Sequence, residues 1–349
     1  MTDKLTVLCA GTGSRLEPVL QAALENVPYE MYQITSEQLP QLQNRRVLFA
    51  LAVDDGGISV PICHLLSALR KNQQCLQGAC VAAIIDGTGE LYTKQLGRNL
   101  IFAANNAGAW LMGKPLLEAT GSMQNLTIRA RRLGIAPAQA YPVLARELVQ
   151  RLLHFSPHPL QSPKLLMLHA SNQTTSNTLA LGNAVCEKLP PSIAVQTLSV
   201  RNGTLHDCKG CSYKVCAHFA EQGSCFYGGA MVEDVYPAIL SSDILLVLCP
   251  NYNDAIGANL MALINRLTSL TVNNLLEGKL LFGIVASGYS GGDLVAEQLL
   301  GALCLNKAFA LPPRCCLLVT ANDPGQAMQA SGIHAQIDAL SAQIAALAK

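Results

Sequence analysis

Short apolar-rich runs closed by polar or glycine-rich loops recur along the chain: Leu5–Cys9, Arg46–Val53, Cys80–Ile85, Leu165–Leu168, Ile244–Cys249 and Leu280–Ala286. Runs of this length without apolar/polar alternation suit strands buried on both faces of a parallel sheet. Between them lie segments of helical character at Leu16–Leu24, Pro61–Leu69, from about Gln95, from about Leu179 and over Ala258–Arg266. Glu30–Ile34 reads as a further strand, with a helix-like turn before Arg46. The alternation predicts a doubly wound α/β fold. Pro250 lacks an N–H and is expected to end the Ile244 strand, with Asn251 to Asp254 as a polar loop. Loops at the carboxyl ends of such strands are where open α/β sheets bind ligands.

The pattern repeats. LTVLCAG at residue 5 matches LLMLHAS at residue 165, a shift of 160. Leu39-Pro40 matches Tyr236-Pro237, Arg70 matches Arg266, and Gln77-Gly78 matches Glu277-Gly278, at shifts of 197, 196 and 200. The rise from 160 to 196 assigns about 36 extra residues to the second half, over 201–236. The expected domains are 1–155 and 164–349, joined by a Pro/His/Ser-rich linker at 156–163.

Composition narrows the class. A chain of 349 residues suggests two domains at about 150 residues each. Only 13% of residues are charged and half are hydrophobic, against roughly a quarter charged in typical soluble domains. A large buried contact between domains or subunits is expected. The net charge of +1 invites neither nucleic acid nor an anionic membrane. No apolar run approaches the roughly 18 residues of a membrane span. The first residues lead straight into a strand without a signal-peptide pattern. Thirteen cysteines then read as reduced thiols or metal ligands, and the expected compartment is the cytoplasm.

Three loops carry candidate chemistry, all in the second half. Ser171, Gln173, Ser176, Asn177 and Thr178 crowd a helix N-terminus, where free N–H groups and the dipole favour an anion. Pro250, Asn251, Tyr252 and Asn253 follow the Ile244 strand, and Tyr252 offers a flat face to a planar heterocycle. Ser287, Gly288, Tyr289, Gly291 and Gly292 follow the Leu280 strand, where glycine permits close backbone approach. Singly these are a cap, a turn and a turn; in this order, each at a strand end, they form a pattern.

That pattern, with Leu260, Leu263 and Asn265-Arg266, resembles the NADPH-dependent FMN reductase family, which includes the iron–sulfur flavoproteins. The resemblance implies two tandem flavodoxin-like domains, FMN phosphate on the Ser171–Thr178 loop and the flavin ring against Pro250–Asn253. Met261 stands where the family has lysine, Asn265 where it has aspartate, and Asn172-Gln173 where it has proline-arginine, so one cationic phosphate contact is missing. The first half lacks the motifs. Glu17-Pro18 is aligned with Asn177-Thr178, and Asp54-Asp55-Gly56 with Pro250-Asn251-Tyr252. It keeps unusual loops at 86–94 and 113–132, read as turns and a basic helix, or as cover for a flavin, pyridine nucleotide or substrate. As relatives of this fold dimerise, the first half is expected to act as a built-in partner, an intramolecular pseudo-dimer with further homo-oligomerisation open.

Cys208, Cys211, Cys216 and Cys225 place four thiols within the insertion. The resemblance points to an iron–sulfur cluster; zinc and no metal stay open, because structural zinc prefers two C-x2-C knuckles. The other cysteines and His169 read as core. The resulting expectation is an FMN oxidoreductase passing electrons from NAD(P)H, or a reduced carrier, to a small-molecule acceptor. The alternatives are an iron–sulfur electron carrier with redox protein partners and a non-catalytic flavin-binding scaffold.

Overall fold

The computed structural model describes residues 4–11, 15–171, 175–201, 203 and 205–349. The chain divides into two units, Met1–Pro157 with Pro312–Arg314, and His158–Leu311 with Cys315–Lys349.

The first unit runs β1 (Leu5–Ala10), α1 (Leu16–Ala23), β2 (Tyr29–Gln33), β3 (Arg46–Val53), α2 (Val60–Lys71), β4 (Cys80–Gly87), α3 (Thr93–Asn106), β5 (Trp110–Ala119), α4 (Thr127–Leu133) and α5 (Pro137–His154). Its five strands are parallel in the order β2-β1-β3-β4-β5. Every residue of β1 and β4 is buried, as continuous apolar runs require in a two-faced sheet. Helices α1 and α5 cover one face around Val7, Leu20, Leu48, Tyr141 and Leu148.

The second unit runs β6 (Lys164–His169), α6 (Asn177–Glu187), β7 (Ala194–Ser199), α7 (Tyr213–Glu221), α8 (Tyr236–Ser241), β8 (Ile244–Tyr252), β9 (Ala255–Ile256), α9 (Ala258–Arg266), α10 (Thr268–Thr271), β10 (Leu280–Ser287), α11 (Gly292–Leu300), β11 (Cys316–Thr320) and α12 (Ile333–Ala345). Its parallel strands lie in the order β7-β6-β8-β10-β11, and β9 turns back antiparallel on β8. Both sheets thus have the 2-1-3-4-5 order of the flavodoxin-like doubly wound fold. Gly182 lets α6 approach its sheet: a Cβ there would come within 2.8 Å of Met167 and Leu248.

Strand pairing fixes which positions correspond. Leu5 pairs with Arg46 and Arg46 with Cys80; Leu165 pairs with Ile244 and Ile244 with Leu280. The shifts are therefore 160, 198 and 200. The register corrects one alignment: Ala52, Val53 and Asp54 correspond to Pro250, Asn251 and Tyr252, two positions earlier than Asp54-Asp55-Gly56. In this register Asp54, rather than Gly56, stands in place of the tyrosine.

Four local expectations change. No helix forms between β2 and β3, where Pro40 and a run of glutamines and short polar residues break any apolar stripe. Asp86 is not a loop residue but lies on β4, 4% exposed. Gly113-Lys114-Pro115 is an irregularity inside β5, where the pairing slips between Val81 and Ala83. Pro250 does not end β8, which runs on to Tyr252. Asn251 and Tyr252 there pair with Ile256 and Ala255, a local ladder that does not need the missing N–H.

Candidate functional site

The β8–β9 hairpin is the most sharply built part of the site. Its two turn residues, Asn253 and Asp254, have φ of 54° and 55°. Two successive left-handed residues make the tight reversal that matches strand twist, and Asn and Asp tolerate it best after glycine. The turn holds Tyr252 outward, 63% exposed. Gln298 of α11 fastens the hairpin from behind, donating to the Asp254 carbonyl at 2.8 Å and accepting from the Ile256 N–H at 3.1 Å. Gly291 leaves room for the turn, since a Cβ there would sit 2.0 Å from Asp254 Oδ1.

Asn251 lies at the centre. Its Nδ2 faces three acceptors, Asp254 Oδ1 at 3.2 Å, Ser287 Oγ at 3.1 Å and the Ser290 carbonyl at 3.0 Å. That fixes the amide orientation and leaves Oδ1 buried with no hydrogen-bond partner. An orphan buried acceptor costs roughly 1–3 kcal/mol. It is a place for a ligand N–H.

At the end of β6, hydroxyls gather before α6. Ser176 caps the helix, accepting from the Leu179 N–H at 3.2 Å, and its Oγ lies 3.0 Å from Thr178 Oγ1. Thr178 Oγ1 is in turn 3.3 Å from Ser171 Oγ. Asn177 has a different job: its amide donates to the Asp323 carbonyl at 2.9 Å and accepts from the Ala327 N–H at 3.3 Å, tying down the loop after β11. Gln173 lies outside the described residues. His169 is buried and accepts from the Ser171 N–H at Nδ1, 3.3 Å away. Burial holds its pKa below the ordinary 6.5, so it is a neutral support under this loop.

The three segments meet at one cavity of about 640 Å³. Ser171, Ser176, Asn177, Thr178, Pro250, Asn251, Tyr252, Asn253, Gly288 and Tyr289 all line it. Ser287, Gly291 and Gly292 stand outside that lining, Ser287 as the acceptor for Asn251. Sequence reading missed Thr175, Asp254, Ala286, Ser290, Ala321 and Asn322. Ala321 and Asn322 follow β11, where Asn322-Asp323-Pro324-Gly325 is a turn signature at a strand end that could have flagged them. None of the described residues lining the cavity is cationic, so hydroxyls and helix N–H groups are what they offer a phosphate. Hydroxyl cluster, helix terminus, tyrosine face and orphan acceptor together fit FMN. The first unit has a cavity of about 650 Å³ between α1 and β2, lined by Leu16, Leu20, Leu24 and Met31 together with Glu17, Gln21, Tyr29 and Gln33, and no serine or threonine stands among its described lining residues.

The cysteine segment lies apart from this lining. Among the described residues no three metal-ligating side chains are grouped as a metal site, although burial, and after it the nearby Cys211, Cys208 and Cys225, raise the pKa of Cys216. The four thiols are free, and Cys211 lies within hydrogen-bond reach of Cys216. Cys216 lies inside α7, and Cys225 follows that helix beside an aromatic cluster. Phe219, Phe226 and Tyr227 pack edge to face, and Lys209 sits 4.8 Å from the Tyr227 ring centroid.

The Asn265-Arg266 pair serves this segment. Arg266, 5% exposed, donates to the carbonyls of His206 at 3.4 Å and Gly228 at 2.8 Å, and Asn265 donates to Asp207 at 2.9 Å. Both flanks of the cysteines are thus fastened to α9, the helix that follows the hairpin.

Residues 163–323 match the family model for NADPH-dependent FMN reductase. Solved structures give looser likenesses. RosB with bound 8-demethyl-8-formylriboflavin-5'-phosphate is 14% identical with a TM-score of 0.41, covering 53% of this chain and 78% of that one. The FMN-dependent NADH-azoreductase of Bacillus anthracis, in complex with FMN, is 12% identical with a TM-score of 0.37, covering 52% and 99%. The flavodiiron protein of Giardia intestinalis is 14% identical with a TM-score of 0.31, covering 74% and 54%. Likenesses this distant say nothing about what this chain binds. No curated protein matches it. No described helix is long and apolar enough to cross a membrane.

Proposed function

We propose that the second unit binds FMN and that the protein is an oxidoreductase passing electrons from NAD(P)H, or another reduced donor, to a small acceptor. The observation that carries this is the meeting of three strand-end loops, far apart in sequence, on one cavity with the polar groups FMN needs. The family match over the same residues supports it. Bound FMN would supply the electron transfer itself. The chain's part is binding and orientation. Ser171, Ser176 and Thr178, with the α6 N-terminus, would hold the phosphate. Asn251 Oδ1 would accept a ring N–H, and Tyr252 presents an aromatic face beside it. No acid–base pair is required of the protein.

The test is direct. Protein purified under mild conditions, or mixed with FMN and desalted, is expected to show flavin absorption and to release FMN on denaturation. It is then expected to oxidise NADH or NADPH with quinone, azo or nitro acceptors. A colourless chain that takes up no FMN refutes the proposal.

A further inference from the structure

Three places on the lining of the second unit's cavity have counterparts in the first unit, and there one side chain joins them. By strand register, Asp86 on β4 corresponds to Ala286 on β10. Gly121, beyond β5, corresponds to Ala321, beyond β11. Arg15 stands immediately before α1, as Ser176 stands immediately before α6. Ser176, Ala286 and Ala321 all line the cavity. In the first unit a guanidinium spans the same three places. Arg15 Nε donates to Asp86 Oδ2 at 2.9 Å and Nη2 to Asp86 Oδ1 at 3.0 Å. Nη2 also donates to the carbonyls of Gly87 at 2.8 Å and Thr120 at 3.2 Å, and Nη1 to that of Gly121 at 3.1 Å.

We propose that Arg15 is an internal ligand. Held by Asp86, it closes the first unit's equivalent of the cofactor cavity and is what confines flavin to the second unit. The second unit leaves hydroxyls and an orphan acceptor for a guest, whereas the first satisfies its strand ends with a planar fork of donors. A bidentate pair with an almost fully buried carboxylate is not displaced cheaply, because Asp86 alone would be a buried, unpaired charge. The cation is already neutralised, and its donors point at a carboxylate and three carbonyls, so it is not a phosphate site. The two partners act as one unit: replacing both, as Arg15→Ser with Asp86→Ala, installs the residue that caps α6 and the residue that ends β10's register with β8 in the second unit.

The inference rests on the flavin reading above, and one set of measurements separates the two. Wild type, Arg15→Ser, Asp86→Ala and the double variant are compared by thermal unfolding and by equilibrium dialysis against FMN. Arg15→Ser, which strands the carboxylate, is expected to lower Tm by roughly 5–10 °C, and the double variant by less than Arg15→Ser alone. Wild type is expected to bind one FMN per chain and the double variant a second, more weakly. Additive losses of stability, a double variant that still stops at one FMN, or a wild type that binds two would each overturn the proposal. If no variant binds FMN, the flavin reading itself falls, and this inference with it.

Discussion

Asn251 shows how much one side chain decides. Any polar residue after a buried strand reads as loop, but here three acceptors crowd one amide nitrogen and leave its oxygen buried and unmatched. Satisfying that oxygen is worth roughly 1–3 kcal/mol, and 1.4 kcal/mol is a factor of ten. Asn251→Ala is therefore expected to weaken FMN binding about 10- to 100-fold while the chain stays folded. Fluorescence titration with FMN checks this, and an unchanged Kd would remove Asn251 from the ring site. Asn177 teaches the converse. It sits in the phosphate loop by sequence, yet its amide is spent on Asp323 and Ala327.

At the scale of elements, the hairpin β8–β9 matters more than its residues taken singly. A two-residue turn with both φ values positive is stiff, and Gln298 joins it to α11 by two hydrogen bonds. Gln298 contributes nothing to the cavity lining. Its effect is positional. Gln298→Leu is expected to raise the Kd for FMN roughly tenfold, from about one or two net hydrogen bonds of alignment lost, with far-UV circular dichroism unchanged. Gln298→Glu, which still accepts from Ile256, should recover part of the affinity. Equal, wild-type affinities in both variants would show that the hairpin holds itself.

At the scale of the whole molecule, buried titratable groups set the pH limits. Burial holds His169 neutral by lowering its pKa below 6.5. Its contribution to stability is complete above 6.5 and drains away as pH falls below that, because the unfolded chain takes a proton the folded one refuses. Burial pushes the thiols of Cys9, Cys80 and Cys186 up from 9.0 to about 11. Their contribution is complete below pH 9 and is lost as pH rises from 9 to about 11, where only the unfolded thiols ionise. Tm measured from pH 5 to 11 is thus expected to plateau between roughly 6.5 and 9 and fall on both sides. Cys80→Val should soften the alkaline fall and leave the acid one intact. A Tm still rising above pH 9 would contradict the burial of these groups.

The sequence by itself determined the central strands β1, β3, β4, β6, β8 and β10, their alternation with helices and three candidate loops, because each is a local signal. An apolar run too short for a helix with a glycine or hydroxyl-rich end is legible without knowing its neighbours, as in Leu280–Ala286 followed by Ser287-Gly288. The offset of 160 was also legible, since pairing register preserves apolar spacing along a strand. What only the tertiary structure decided depends on residues meeting across long separations. Arg15 and Asp86 lie 71 positions apart, and nothing near either predicts the other. Asp86 read as loop because a carboxylate inside a buried strand has no local reason to be there; its reason is the guanidinium. Arg266 was read with the flavin loop because it follows it in sequence, but its donors face the cysteine flanks, 38 and 60 positions away. The four cysteines are close along the chain, and Cys216 feels the other three. Linear density measures how close thiols are along the chain, whereas ligand geometry depends on where a helix starts, and α7 starts between the second and third of them.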